Sequence, residues 1–186
     1  GTELVNALSY LSQIEKLSLG RFVNGNYRRE KAIIEKLADK LDFIHLELTE
    51  SCNFRCLHCY NEASSLSVHN NEIEFEEWVN ILKDAYVLGC KGVQFIGGEP
   101  FLRRETLLKL IAEAKNIGYK FLEVFSNGSL VTDNDLIRLK EFNIHLAVSV
   151  YSSDFQIHDQ ITRNKGSWGK PIKILKRVHE LAIPTR

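Results

Sequence analysis

Three of the four cysteines, Cys52, Cys56 and Cys59, sit in the run Ser51-Cys52-Asn53-Phe54-Arg55-Cys56-Leu57-His58-Cys59-Tyr60. Chance gives this spacing in about one of a thousand chains with as many cysteines. Thiolates this close repel one another unless a metal ion or cluster neutralises them, so a plain structural role needs all three protonated and buried side by side. Zinc would want a fourth ligand, and His58 inside the loop or His45 and His69 beside it leave a Cys3His site open. A ferredoxin-type cluster would want a fourth cysteine. The remaining one, Cys90 in Leu88-Gly89-Cys90-Lys91-Gly92-Val93, lies just before an expected strand. In a parallel barrel that is the face opposite the cysteine loop, so Cys90 reads as a small buried apolar residue. Beside zinc there remains a [4Fe–4S] cluster with three irons held by the protein and the last iron open, as a catalytic site needs and a structural site does not.

The elements that must position these thiols follow from periodicity. Phe43 to Leu48 reads as a strand. Phe75 to Leu88 carries Phe75, Trp78, Val79, Leu82 and Ala85 at helical spacing and is stopped by Gly89. Val93 to Ile96 is a second strand, and Leu102 to Ile117 a helix with Leu107, Leu108, Ile111 and Ala114 inward, ended by Gly118. Phe121 to Phe125 is a third strand, and Thr132 to Glu141 a helix with Thr132 and Asp135 placed as an N-terminal cap. Ile144 to Val150 is a fourth strand, and Pro171 suits the first turn of a last helix ending near Leu181. Strand and helix alternating in this way predict an α/β fold with parallel strands.

Strands buried on both faces of a parallel sheet normally read as continuous apolar runs, yet these alternate. Ile44, Leu46, Leu48, Val93, Phe95, Leu122, Val124, Leu146, Val148 and Val150 form one set, expected to face the helices. His45, Glu47, Gln94, Glu123, His145 and Ser149 form the other. They either line a lumen that holds ligand or satisfy one another in a core.

The cysteine loop after the first strand and Gly97-Gly98-Glu99-Pro100 after the second together resemble the radical S-adenosylmethionine (SAM) superfamily, in particular its peptide- and protein-modifying maturases. That resemblance implies a partial (β/α)6 TIM-like barrel, of which this chain looks like the first four βα units with N-terminal helices. It implies that Cys52, Cys56 and Cys59 bind a [4Fe–4S] cluster whose open iron takes the amino and carboxylate groups of SAM. His58 falls at the position of a SAM contact, and Gly97, Gly98 and Glu99 in the segment whose backbone holds the SAM amino group. Ser126 opens a Ser-Asn-Gly turn similar to the family's, Ser149 matches a ribose contact, and Arg163, in the stretch His158 to Ser167, matches the partner of the SAM carboxylate. Ser149-Val150-Tyr151 departs from the pattern, because many members have Asp two places after the Ser. The second ribose contact is therefore unassigned.

The implied activity is reductive cleavage of SAM and abstraction of hydrogen from a peptide or protein substrate, with flavodoxin or ferredoxin as electron donor. Two other functions stay open: a zinc-stabilised binding protein without chemistry, and a radical SAM enzyme acting on a small-molecule cofactor precursor. The 186 residues can bury one good core, and 44% hydrophobic with 26% charged residues reads as globular. A balance of 24 basic and 24 acidic side chains argues against nucleic acid or a membrane surface as partner. Cysteines that must stay reduced to hold iron point to the cytoplasm. Leu4, Leu8, Leu11, Ile14 and Leu17, followed by a charged helix from Arg28 to Lys40, predict a helical extension over residues 1–41, preceding the core domain at 42–186. The absence of Met and the stop at Pro184-Thr185-Arg186, where a fifth strand should begin, lead us to expect a partial chain lacking the last barrel strands and most of the substrate site.

Overall fold

The computed structural model describes residues 41–61 and 73–186; the expected N-terminal helices and His69 lie outside them. Strands β1 (Phe43–Glu47), β2 (Gly92–Ile96), β3 (Phe121–Ser126) and β4 (His145–Val148) form one parallel sheet in the order β1-β2-β3-β4. The helices are α1 (Phe75–Val87), α2 (Arg104–Ile117), α3 (Asp133–Glu141), α4 (Phe155–Thr162) and α5 (Gly169–Glu180), and a 3-10 turn at Pro100–Arg103 leads into α2. This is the α/β alternation with parallel strands expected from the sequence.

The helices α1 and α2 form where the sequence supplies a buried stripe and a stop. Trp78, Val79, Leu82 and Ala85 are the buried residues of α1, and Leu107, Leu110, Ile111 and Ala114 those of α2. Leu110 rather than Leu108 takes the fully buried position. Gly89 and Gly118 follow these helices with φ of 104° and 112°, a left-handed conformation that glycine adopts without a Cβ clash. Thr132 and Asp135 make a reciprocal cap at the start of α3: the Asp135 amide donates to Thr132 Oγ1 at 3.2 Å, and the Thr132 amide to Asp135 Oδ2 at 2.8 Å. The stripes pack on one face of the sheet, where Leu46, Val93, Phe95, Leu122, Val124 and Leu146 are buried in a single apolar core.

The other face carries a polar row. His45, Gln94, Glu123 and His145 are in register across all four strands. His45 Nδ1 and Gln94 Oε1 are 2.9 Å apart, and Gln94 Nε2 donates to Glu123. Glu123, only 3% exposed, takes the Arg186 guanidinium on both oxygens, from Nε at 3.0 Å and Nη2 at 2.8 Å. The polar set thus lines the inner face and also satisfies itself.

Two boundaries and one helix differ from expectation. α2 is preceded by a 3-10 turn because the Glu99 side chain accepts the Phe101 amide, at 3.1 Å, with Pro100 at its first position. β4 ends at Val148, one residue beyond which the Ser149 amide still donates to the Ser126 carbonyl, at 3.1 Å. α4 falls in a stretch for which the sequence suggested no helix. After α5, Thr185 bridges Leu146 in parallel, and Leu146 and Val148 donate to the carbonyls of Pro184 and Arg186 at 2.9 and 3.0 Å. Cys90 is fully buried and its Sγ donates to the Gly92 carbonyl at 3.1 Å, at the amino end of β2 and away from the cysteine loop.

Candidate cluster and cofactor site

Loops from the carboxyl ends of all four strands meet around a cavity of about 270 Å³. Its walls include Cys52, Cys56, His58 and Cys59 after β1, Gly97 and Gly98 after β2, Ser126 and Asn127 at the end of β3, and Ser149 and Tyr151 after β4. This end is where parallel barrels hold their active sites, because variable loops there ride on a rigid sheet.

α4 fixes the path of the cysteine loop. The last carbonyls of a helix have no partner within it. Here the Leu57 amide donates to the Ile161 carbonyl at 2.8 Å and the Arg55 amide to the Thr162 carbonyl at 3.2 Å, while Asn164 Nδ2 reaches the Asn53 carbonyl at 3.4 Å. Asp154 caps the other end, its Oδ1 accepting the amides of Gln156 at 2.7 Å and Ile157 at 3.3 Å. Asp159 then anchors the following turn, accepting from the Gly166 amide at 2.6 Å, Ser167 Oγ at 2.9 Å and the Trp168 amide at 3.1 Å. The Gly166 amide contributes most to holding the Asp159 carboxyl below its ordinary value. The Asp154 cap was the available sequence signal for α4.

The glycine segment is bound to the same loop from the other side. The Gly98 amide donates to the Thr49 carbonyl at 2.6 Å and the Glu99 amide to the Ser51 carbonyl at 2.8 Å. A Cβ on Gly97, whose φ is 151°, would lie 2.5 Å from the Thr49 oxygen, and one on Gly98 would lie 2.2 Å from the Ser51 oxygen. Glycine is required here by the protein's own backbone, whatever ligand the cavity takes. Glu99 is fully buried: Oε1 accepts from Ser126 Oγ at 2.8 Å and the Phe101 amide at 3.1 Å, and Oε2 from the Asn127 amide at 2.8 Å. Burial pushes the Glu99 carboxyl above its ordinary value, and these three donors oppose it. Asn127 and Asn53 extend the network, with Asn127 Nδ2 at 2.9 Å from Asn53 Oδ1 and Asn53 Nδ2 at 2.7 Å from Ser129 Oγ.

The sulfurs are not equivalent. Cys52 is buried, and burial pushes its thiol up to about 11 against the pull of the Phe54 amide, which donates to Sγ at 3.4 Å. Asn127 Nδ2 is 3.8 Å from the same sulfur. Burial also raises Cys56, and Tyr151 opposes that rise. Tyr60, 77% exposed on the rim, donates to Glu47 Oε1 at 2.6 Å, and that bond does most to lift its hydroxyl to about 12.

Of the residues marked by the sequence, the three cysteines, His58, Gly97, Gly98, Ser126 and Ser149 converge on the cavity. Glu99 and Arg163 do not line it. Glu99 works inside the turn, and Arg163 is an exposed residue with φ of 52° at the end of α4. Tyr151, Asn127 and Phe125 line it without having been singled out as contacts; Tyr151 sat at the departure from the family pattern. A larger cavity of about 620 Å³ lies between α2 and α3, walled by residues such as Arg104, Lys109 and Arg138, remote from the cysteines.

The donor set fits an iron–sulfur cluster. A single zinc ion draws its ligands to about 2.3 Å, whereas a cluster offers each thiolate its own iron, so its ligands surround a body. Among the described residues no three His, Cys, Asp or Glu side chains converge on one ion. The cysteines instead share a cavity with glycine backbone and hydroxyl groups.

The sequence profile of the Radical SAM superfamily matches residues 46–186. A probable GTP 3',8-cyclase of Sulfurisphaera tokodaii is 32% identical over 131 residues, covering 70% of this chain and 41% of that protein. Streptococcus suis SuiB, solved bound to the precursor peptide SuiA, superposes with a TM-score of 0.67 at 18% identity, over 100% of this chain and 45% of SuiB. anSMEcpe with bound AdoMet superposes with a TM-score of 0.64 at 20% identity, over 78% of this chain and 42% of that one. The chain therefore spans less than half the length of these relatives.

Proposed function

Because the chain belongs to the radical SAM superfamily, we propose that Cys52, Cys56 and Cys59 hold a [4Fe–4S] cluster by three irons and that the enzyme removes hydrogen from a peptide or protein side chain. The observation that carries this reading is the shared cavity at the carboxyl ends of the strands, where three thiols meet the glycine turn, Ser126 and Ser149. When bound, the cluster and SAM together supply reductive C–S cleavage and hydrogen-atom abstraction. The chain's own residues do the positioning. Gly97 and Gly98 bring backbone to the cavity edge for the SAM amino group, Ser149 offers a hydroxyl, Ser126 shapes the wall with its hydroxyl donated to Glu99, and His58 presents a ring beside Cys59. Glu99 serves through the turn it holds, and Arg163 is assigned to the SAM carboxylate from its place in the motif.

A peptide substrate is supported by SuiB, whose structure carries a precursor peptide, and by an anSMEcpe structure that carries the Kp18Cys peptide. The small-molecule reading is supported by the GTP 3',8-cyclase relative. We assign electron delivery to a flavodoxin or ferredoxin and the cytoplasm as compartment, since the thiols must stay reduced to hold iron. Among the described residues no helix is long and apolar enough to cross a membrane.

Anoxic reconstitution with ferrous salt and sulfide is expected to give a brown protein that bleaches with dithionite and releases 5′-deoxyadenosine from SAM. A colourless protein holding zinc would refute this. Deuterated peptide and deuterated GTP, offered in parallel to the reduced full-length enzyme, separate the substrates by which one transfers deuterium to 5′-deoxyadenosine.

A further inference from the structure

On the cluster and SAM reading above, we infer that His158 and Trp168 are positioning residues of the cofactor cavity: they hold the turn after β4, and with it Ser149, in place against the cysteine loop. β1 and β4 are the outer strands of the sheet, so pairing within it does not join the loops that follow them. Those two loops nevertheless meet at the cavity, where the rings of His58 and Tyr151 lie edge-on with centroids 4.5 Å apart. α4 and the turn behind it bind both. On one side the unit takes the cysteine loop, through the carbonyls of Ile161 and Thr162 and the side chain of Asn164. On the other it takes the backbone of the β4 turn: His158 Nδ1 accepts the Tyr151 amide at 3.3 Å, and Trp168 Nε1 donates to the Ser152 carbonyl at 3.1 Å. Asp159 makes one piece of these two side chains, since it follows His158 in α4 and accepts the Trp168 amide at 3.1 Å.

His158 is fully buried, and among the described residues its Nε2 has no hydrogen-bond partner. A neutral ring whose Nδ1 accepts carries its proton on Nε2, so the polar work of this side chain is done at Nδ1, on the backbone of Tyr151. Ser149 lines the cavity two residues earlier, and its own amide is held by the Ser126 carbonyl at 3.1 Å. The turn is thus fixed at three points, two of them on the unit that also holds the thiols. A shift of the turn by about 1 Å would move Ser149 away from a ligand seated on the cysteines, and misplacement of that size weakens a site without removing any group that touches the ligand.

The test uses the full-length protein twice, metal-free and reconstituted. His158→Leu removes the acceptor and Trp168→Phe removes the donor, each leaving an apolar side chain in place. In the metal-free protein both are expected to speed amide exchange across residues 149–152, read by hydrogen-exchange mass spectrometry. After reconstitution both are expected to load as much iron as the unsubstituted protein and to raise the KM for SAM about tenfold, more than they lower kcat, in release of 5′-deoxyadenosine under dithionite. His158→Asn returns an acceptor oxygen near the place of Nδ1 and is expected to recover most of the loss. Should His158→Leu fail to fold or to hold iron, Trp168→Phe decides alone. Unchanged exchange in the turn, or an unmoved KM in a fully loaded variant, overturns the inference. Unsubstituted protein that takes up no iron or releases no 5′-deoxyadenosine overturns the cluster and SAM reading instead.

Discussion

Buried polar groups set the tolerance of this site, and Glu99 has the least. Both of its oxygens are engaged by donors from two segments, the Phe101 amide beside it and Ser126 and Asn127 at the end of β3. Glu99→Gln keeps the volume but turns an NH2 group toward an amide or hydroxyl donor, leaving buried groups unsatisfied. We expect a loss of about 1 to 3 kcal/mol, measured as a lower denaturant midpoint. Gly98→Ala tests a different cause. Its new Cβ must displace the Ser51 carbonyl, one residue before Cys52. Crowding of this kind costs about 1 to 3 kcal/mol, and here it is expected to lower the iron bound per chain as well, read by iron assay after desalting. Neither effect depends on what the substrate is.

At the scale of elements, the short helix α4 holds the cysteine loop although it contributes no thiol. Its last two carbonyls take the amides of Arg55 and Leu57, so fraying it frees the loop that presents Cys56. Asp154→Ala removes the cap at its start, a change worth about 1 kcal/mol for such a residue. The expected outcome is faster amide exchange at Arg55 and Leu57, seen by hydrogen-exchange mass spectrometry, together with slower cluster assembly. Exchange confined to α4 itself would show that the helix and the loop move independently. The helices α1 and α2 should be unaffected, since their packing is against the sheet.

For the whole molecule, the charged link across the inner face is the pH-sensitive part. Burial raises the Glu123 carboxyl, but hydrogen bonds from Arg186 and Gln94 outweigh it and hold the group below its usual 4.5. A carboxyl lowered by folding adds stability above its unfolded value and loses it as the pH falls through the folded one. The stability gap between the unsubstituted protein and Glu123→Gln should therefore be open at neutral pH and close as the pH falls below the ordinary carboxylate value and through the lowered folded one, in parallel denaturant titrations. The alternation of apolar and polar residues along β1 to β4 made the two faces of the sheet legible in advance, because side chains on a strand alternate in direction. The same holds for α1 and α2, whose helical stripes and terminal glycines are local signals, and for the cysteine spacing, which is chemistry written in consecutive residues. The engagement of both Glu99 oxygens and the role of α4 in holding the cysteine loop were not legible. Each joins segments far apart in the chain, and such contacts exist only once the parallel strands bring four loops to one end. Residue type and spacing establish which groups are present and what chemistry they suit; their partners are a matter of distance in space, which folding alone sets.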